Sequence, residues 1–575
     1  MSIFASNFLT MQKRLIECVP NFSEGRDKGI IKAITDEITA AGDVELLDVD
    51  PGEATNRTVV TFVGEPEAVL DAAFRGIAKA AALIDMRAHH GAHPRMGATD
   101  VCPFIPVSGI TLEECAELAD RLARRVADEL GIPVYCYEAA AKRPERKNLA
   151  VCRKGEYEAL PERLGTADGA DYADRPFDEA AARTGATTIG ARNFLIAVNY
   201  NLNTTSTRRA NAIAFDVREK GRPRRQGDKV TDKPLKDENG NTIMIPGTLP
   251  GTKAIGWYIP EYGIAQVSMN ITDIDRTPLH VAFDEVCRAA AARGIRVTGA
   301  EIVGLVPKRT LLDAGRYFLH KQQRSTGLPE DEIIRMAVKS MGLDELKPFD
   351  PKEKIIEYMI ADSEPSLTDM TCRRFADETA SESPAPGGGS IAAYMGALAA
   401  ALGTMVANLS AHKPGWDDRW ETFSDYADRG RALQDRLMAL VDEDTAAFNG
   451  FMAALAMPKG TPDEKAARQR AMQQATLHAA QVPLDTMRTA METFPLLLAM
   501  AGQGNPASAS DAGVGALAAE AAVQGAALNV RINAASLDDK AAAAALAAEA
   551  AALCEQAVKA RAEVLQTVNK HIDKI

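Results

Sequence analysis

The chain has 575 residues, 46% of them hydrophobic and 25% charged, with a formal net charge of −13 at pH 7. That length exceeds what one hydrophobic core organises and predicts three or four domains of about 150 residues each. The acidic balance argues against nucleic acid as a main partner, because phosphate binding needs a concentrated basic surface, so any anion site has to be local. The eight cysteines are scattered, with no CxxC pair or zinc-type spacing, and the first residues lack a basic leader followed by an apolar core. Reduced thiols and a cytoplasmic chain are the expectation.

From Arg14 the pattern runs strand (RLIECVPNF), helix over 27–41, strands (VELLDVD and TNRTVVTFVG), helix over 66–83, a histidine-bearing loop, strand (VCPFIPV), helix over 111–130 and strand (PVYCYEA). The strands are short and β-branched, and the helices carry apolar residues at i, i+3 and i+4 behind the start signals Asp27, Pro66 and Thr111. This is a βαββαβ arrangement with an extra helix and strand, which predicts an α+β subdomain with helices on one face. A similar order returns in FLIAVNYNL, a helix over 206–220, AIGWYIP, IAQVSMNIT, a helix over 277–293 and IRVTGAEIVGLVP, with further helices from 308 and 329. Beyond IIEYMI the chain turns alanine-rich and loses its strand signals, which predicts an antiparallel helix bundle. The predicted organisation is two α+β (βαββαβ-like) subdomains over 1–192 and 193–361, a linker over 362–369 and an all-α domain over 370–575. Residues 391–412 contain no Asp, Glu, Lys or Arg and are long enough to span a bilayer. Their Ala, Gly, Ser, Thr and Met content reads instead as a buried bundle helix, and no membrane partner is expected.

Chemistry concentrates first in 84–107, where His89, His90 and His93 fall within five residues of a Gly/Pro-broken loop. Histidine titrates near pH 6.5, which suits proton transfer, and general acid/base work by His93 is favoured. Metal binding by the three histidines with Asp100 or Cys102 is the alternative, without HExxH-type spacing to support it. Asp48 and Asp50 end a strand and share a face, and Arg57 and Arg95 are candidates for gripping carboxylates. In RLMALVDEDTAAFNGFM, Asp444 falls in the middle of an apolar stripe of Leu437, Leu440, Val441, Phe448 and Phe451, an expensive place for a charged carboxylate without a role. Gly387, Gly388, Gly389 and Ser390 precede the uncharged helix, where backbone N–H groups can meet an anion or a polar ring edge; the spacing is not a P-loop. Arg218 to Lys236 hold eight basic and three acidic residues, which read either as a solvated loop or as a landing strip for a polyanionic substrate tail.

At this point IECVPNFSEG, LLDVDPG, TNRTVVTFVG, HxGAHPRMGATDVCPFIPV, GEYEALP, GATTIGARNFLIA, AIGWY, AEIVGLVP, APGGGS and VDEDTAAF together carry a resemblance. The chain resembles the bifunctional formimidoyltransferase-cyclodeaminases of histidine catabolism from about Leu15 onward. The resemblance implies transfer of a formimino group from N-formimino-L-glutamate to N5 of tetrahydrofolate, then ring closure to 5,10-methenyltetrahydrofolate with loss of ammonia. It implies His93 and Asp50 as transferase residues, Asp444 as the cyclodeaminase residue and no metal. It also implies a folate-binding segment at 174–185 running into the GAT motif, with Asp174, Phe177, Gly185, Ala186 and Thr187 as candidates. Tetrahydrofolate, in polyglutamated form, is the implied co-substrate, and dimers assembled in a ring the implied oligomer. Two features depart from the family: ADYADRP over 170–176 stands where PDFGP is common, and the basic insert lengthens the second subdomain. Rival readings are that only one half is active, as a transferase or a methenyltetrahydrofolate cyclohydrolase-like bundle, a zinc hydrolase on His89, His90 and His93, or a folate-binding scaffold without turnover.

Overall fold

The computed structural model describes residues 14–53, 55–91, 94–227, 232–360 and 366–573. Two compact units form, one from 1–310 with 341–361 and one from 311–340 with 362–575.

In the first unit the opening strand is broken by Pro20, which has no N–H for a ladder, into β1 (Leu15–Cys18) and β2 (Asn21–Phe22). Both pieces pair antiparallel with β4 (Arg57–Gly64) on one side and β5 (Thr99–Ser108) on the other. β3 (Val44–Gly52) forms the edge beyond β4. Helices α1 (Lys28–Thr39), α2 (Pro66–Leu83) and α3 (Leu112–Arg125) belong with the face that buries Ile16, Cys18, Val60, Phe62, Cys102 and Phe104. Asp27 caps α1 through the N–H groups of Gly29 and Ile30, and Thr111 with Glu114 forms a reciprocal capping box on α3. β6 (Val134–Glu138) follows, then the short helices α4 (Leu149–Cys152), α5 (Leu160–Arg163) and α6 (Glu179–Thr184). β7 (Thr187–Ala191), a strand the sequence pattern does not reveal, inserts parallel between β5 and β6. Its five residues TTIGA are all buried, so it lacks the alternation that marks a half-exposed strand.

The second α+β subdomain runs β8 (Ile196–Leu202), α7 (Thr207–Val217), the small hairpin β9 (Arg222–Pro223) and β10 (Met244–Ile245), β11 (Thr252–Ile259), β12 (Ile264–Ile271), α8 (Leu279–Ala291) and β13 (Val297–Val303). Its sheet has the order β11-β12-β8-β13, antiparallel throughout. The first sheet repeats that order in β3-β4-β1/β2-β5 before β7 and β6 extend it. The two subdomains therefore share a topology, as their element patterns predict.

Helices α9 (Lys308–Lys321) and α10 (Glu330–Met341) lead into the second unit, and the segment joining them packs on the bundle. Asn408 donates to the Gly327 carbonyl at 2.9 Å, and the Thr326 hydroxyl donates to Asp428 at 2.7 Å. The bundle consists of α13 (Cys372–Thr379), α14 (Gly388–Ala411), α15 (Trp420–Ala456), α16 (Pro462–Gln503), α17 (Ala509–Ala535) and α18 (Lys540–Ile572). Alanine and glycine dominate its seams: a Cβ at Gly430 would lie 2.2 Å from Thr404 Oγ1, and one at Gly403 2.8 Å from Leu496 Cδ2. The uncharged helix α14 packs against α15, α16 and α17, the place its small residues predict.

One buried charge stands out in the first sheet. Glu17 lies on β1 between Ile16 and Cys18, only 6% exposed, and burial pushes its carboxyl up to about 7 against the pull of Arg192. The folded state thus favours the neutral acid, whose contribution to stability is present below about pH 4.5 and is lost as pH rises through about 7. Glu17→Gln removes that loss, on the order of 3 kcal/mol at most. In thermal unfolding of the transferase unit its Tm gain over wild type should grow from pH 5 to pH 8; a difference that stays flat refutes the assignment.

Candidate active sites

The histidine loop is held to the turn between β3 and β4 by Asn56. That residue adopts φ +48°, a conformation asparagine tolerates better than most residues. Its Oδ1 accepts from the Gly25 N–H at 3.0 Å, its Nδ2 donates to the His90 carbonyl at 3.1 Å, and its own carbonyl lies 2.9 Å from His89 Nε2. His89 is buried, which lowers its pKa, so the ring is neutral with its proton on Nε2 and Nδ1 buried without a partner among the described residues. A Cβ at Gly91 would lie 2.2 Å from the Thr55 carbonyl, so only glycine lets the loop come this close. His93 itself lies outside the described residues.

Downstream the loop is clamped by the GAT motif. Ala186 N–H donates to the Met96 carbonyl at 3.0 Å, Ala98 N–H donates to the Thr184 carbonyl at 2.8 Å, and a Cβ at Gly185 (φ +69°) would lie 2.1 Å from the Met96 carbonyl. Thr187 is buried at the start of β7. Asp174 accepts from the N–H groups of Gly165 and Ala170, both at 3.0 Å, and Phe177 meets Tyr157 edge-on with ring centroids 6.4 Å apart. These residues shape the segment and the loop rather than presenting charge.

Charge comes from other positions. Asp50 ends β3 beside Asp48, whose carboxyl is raised by burial and by the Asp50 charge. Arg57 opens β4 opposite Gly52 and feels the charges of Asp100, Arg153 and Asp50. Asp100 is fully buried, ion-paired with Arg153, and accepts from the Met96 N–H at 3.0 Å; burial still pushes its carboxyl upward. Arg95 is already engaged: Glu158 takes both terminal nitrogens at 2.8 and 2.7 Å, and Glu156 lies 3.3 Å away. Its role here is to fasten the 156–158 segment to the histidine loop. A cavity of about 830 Å³ opens between the two subdomains, with Pro94, Tyr137, Arg153 and Arg192 from the first and Lys253 and Arg276 from the second on its walls. Neither Asp50 nor Arg57 lines it. Arg153 is committed to Asp100, so the cations positioned for carboxylates there are Arg192 and Lys253.

In the helical unit Leu437, Leu440 and Val441 are buried, as their stripe predicts, but Phe448 is 38% exposed because α15 opens at this level onto a cavity of about 370 Å³. Asp444 lines that cavity with Gly387, Gly388, Gly389, Phe451, Asn529 and Asn533. The Ser390 hydroxyl lies 3.1 Å from Asp444 Oδ2 and donates to the Val441 carbonyl at 3.0 Å. Burial raises the Asp444 carboxyl above its ordinary value against the hydrogen bonds from Ser390. Its neighbours are committed elsewhere: Asp442 accepts from Ser366 and the Leu367 N–H, and Glu443 pairs with Arg436 at 2.5 Å. Of the three glycines only Gly389 serves proximity, since a Cβ there would lie 2.1 Å from Asp444 Oδ1, whereas one at Gly387 or Gly388 would meet nothing closer than 3.6 Å. Among the described residues no three His, Cys, Asp or Glu converge as metal ligands.

Residues 15–192 match the formiminotransferase domain, N-terminal subdomain; residues 197–361 the formiminotransferase domain; and residues 371–552 the family described as formiminotransferase-cyclodeaminase. The chain is 43% identical over 506 residues to the formimidoyltransferase-cyclodeaminase of Rattus norvegicus, covering 88% of this chain and 89% of that one. The chain belongs to the formimidoyltransferase-cyclodeaminase family. Two further relatives match shorter stretches of the chain. A glutamate formimidoyltransferase of Streptococcus pyogenes is 39% identical over 307 residues, 53% of this chain and 93% of its own. A methenyltetrahydrofolate cyclohydrolase of Methylorubrum extorquens is 37% identical over 147 residues, 26% of this chain and 71% of its own.

In this chain the sequence pattern did not single out Arg153, Arg192, Lys253 or Glu17. Glu17 carries a usable signal, an acid between two apolar residues of a short strand; the three cations look like ordinary surface charges until the cavity is seen. The glycine contact yields a prediction for the helical half. Gly389→Ala forces the Asp444 carboxylate and the first turn of α14 apart and should lower ammonia release about a hundredfold or more, a loss of roughly 3 kcal/mol in the transition state, while glutamate release by the transferase half is unchanged. Full ammonia release in that variant rules out the close approach as a requirement.

Proposed function

We propose that the α+β half transfers the formimino group of N-formimino-L-glutamate to N5 of tetrahydrofolate, and that the helical half cyclises the 5-formimino product to 5,10-methenyltetrahydrofolate with release of ammonia. Both steps belong to histidine degradation and one-carbon metabolism. The observation that supports this reading is that the formiminotransferase models match the α+β half over 15–192 and 197–361, the formiminotransferase-cyclodeaminase model matches the helical half over 371–552, and relatives covering 88% of the chain carry both activities in their name.

In the transferase, N5 attacks the formimino carbon, and the tetrahedral intermediate collapses by expelling the glutamate nitrogen. Protons must leave N5 and reach that nitrogen. His93, two residues beyond the segment pinned by Asn56, relays them, and Asp50 at the β3 end orients it or takes the N5 proton. Arg192 and Lys253 neutralise the carboxylates of glutamate and folate in the cavity between the subdomains. In the helical half, N10 attacks the same carbon and the nitrogen leaves as ammonia, which needs a proton. Asp444, whose carboxyl burial raises above its ordinary value, is the group placed to hold that proton. The cavity beside it presents the N-terminus of α14 and the amides of Asn529 and Asn533 to a folate ring edge.

The folate is taken in polyglutamated form, without a metal, and the protein works in the cytoplasm, a compartment that suits its eight free cysteines. The chain also assembles as a homo-oligomer, of dimers arranged in a ring. Val514, Leu517, Leu528 and Ile532 mark one face of α17 and are 56, 49, 64 and 68% exposed, an apolar stripe that a second copy would cover.

With N-formimino-L-glutamate and tetrahydrofolate, wild type should release glutamate and ammonia and raise methenyl-folate absorbance together. His93→Ala should lose glutamate release by about 10²–10⁴-fold, and Asp444→Asn should accumulate 5-formimino-folate with a comparable loss of ammonia. Because protonated Asp444 is the donor, cyclodeamination should fall as pH rises through its raised pKa, a limb that Asp444→Asn abolishes. Wild type that releases no glutamate defeats the transferase reading. In sedimentation velocity, Leu528→Glu with Ile532→Glu should shift the protein to a smaller species; an unchanged profile removes α17 as the interface.

A further inference from the structure

We propose that Ser390 is a positioning residue for the helical half: its hydroxyl turns between the Val441 carbonyl and the Asp444 carboxyl as that carboxyl gives up and regains its proton. This role rests on the function proposed above and concerns how its proton donor is held. Ser390 is the third residue of α14, after Gly388 and Gly389, and is fully buried. Unlike the three glycines before it, Ser390 does not line the cavity, so it meets Asp444 and not a bound ring.

Its Oγ lies 3.0 Å from the Val441 carbonyl and 3.1 Å from Asp444 Oδ2, with Thr445 Oγ1 farther off at 3.4 Å. A hydroxyl has one proton to donate and two lone pairs with which to accept. With Asp444 neutral, the groups are satisfied in sequence: the carboxyl O–H donates to Ser390 Oγ, and Ser390 donates to Val441. With Asp444 ionised, two acceptors at nearly equal distance compete for one proton, and the charged one wins. The Val441 carbonyl can be released, because it lies inside α15 and keeps its place in the helix ladder. No second charge takes part. On α15 Asp442 is held by Ser366 and the Leu367 N–H, and Glu443 is paired with Arg436. Towards the cavity α14 brings glycines, α16 brings Thr476, and α17 brings Asn529 and Asn533, none of them titratable. Among the described residues Asp444 is the one ionisable side chain on that wall.

The chemistry gives the turn its use. The amino nitrogen of the tetrahedral intermediate takes the Asp444 proton, its bond to carbon breaks with the electron pair on nitrogen, and ammonia leaves. A carboxylate is then left in a buried site, where a donated hydrogen bond counts for more than in water. Ser390 supplies one at that moment. The proton that N10 loses on joining the same carbon returns Asp444 to its acid form, and Ser390 turns back to Val441.

The test uses the full chain with 5-formiminotetrahydrofolate as substrate. Ser390→Ala removes the hydroxyl without adding bulk, and thermal unfolding checks that the fold is kept. Its kcat for ammonia release should fall about tenfold with KM unchanged. The high-pH limb of its rate profile should move upward by roughly 0.5–1 pH unit, because the ionised carboxyl loses more than the neutral one. In an Asp444→Asn background the same substitution should cost nothing further, since Ser390 acts through Asp444. A limb that stays in place, a rise in KM instead of a fall in kcat, or a tenfold loss that persists beside Asp444→Asn overturns the proposal. If wild type releases no ammonia, the proposed function fails. Infrared difference spectra taken with and without Asp444→Asn then still decide the role of Ser390. The C=O band of the neutral carboxyl should persist to higher pH in Ser390→Ala, and loss of the band at the same pH as in wild type overturns it.

Discussion

The transferase half depends on a constraint of backbone proximity: three segments distant in sequence have to share one small volume, and Asn56 satisfies the polar groups that such crowding buries. It joins Gly25, the β3–β4 turn and the histidine loop through two side-chain hydrogen bonds and one carbonyl. An unpaired buried donor or acceptor costs about 1–3 kcal/mol, so a side chain able to donate and accept at once, and to sit at positive φ, is needed here. Glycines at 25, 91 and 185 remove the side chains that would hold the same segments apart. The described residues on either side of His93 are thereby held, His90 by Asn56 and Met96 and Ala98 by the GAT motif.

The helical half solves the same problem with different materials. Its helices are built of alanine and glycine, so their axes approach closely, and α14 presents its first turn directly to Asp444. The carboxylate is buried enough to be raised, yet it borders a cavity rather than solid core. Packing of small residues therefore sets both the fold and the environment of the Asp444 carboxyl. In the transferase half the equivalent adjustment comes from charge pairing, with Asp100 held by Arg153 and Arg95 held by Glu156 and Glu158.

Much of this was legible from local pattern. The two α+β repeats, the caps Asp27 and Thr111 and the bundle follow from periodicity and turn chemistry, which are written in neighbouring residues. β7 escaped because a strand buried on both faces shows no alternation. Arg95 was legible as an arginine near a histidine, but its partners arrive from sixty residues downstream. Phe448 belonged to the apolar stripe by spacing, yet it faces a cavity that the neighbouring helices α14, α16 and α17 wall with it.

The sequence by itself determined the element order, the repeated strand topology and the identity of the family, because those rest on period, capping and long irregular motifs. It also marked Asp444, since one helix's own spacing reveals an acid among apolar neighbours. The tertiary structure alone decided which arginines are spent on ion pairs and which face a cavity, and why Gly389 must be glycine. It also gathered the basic residues of α7, the hairpin and Arg293 into one concavity. Those outcomes depend on distances between segments far apart in the chain, and no local pattern records them.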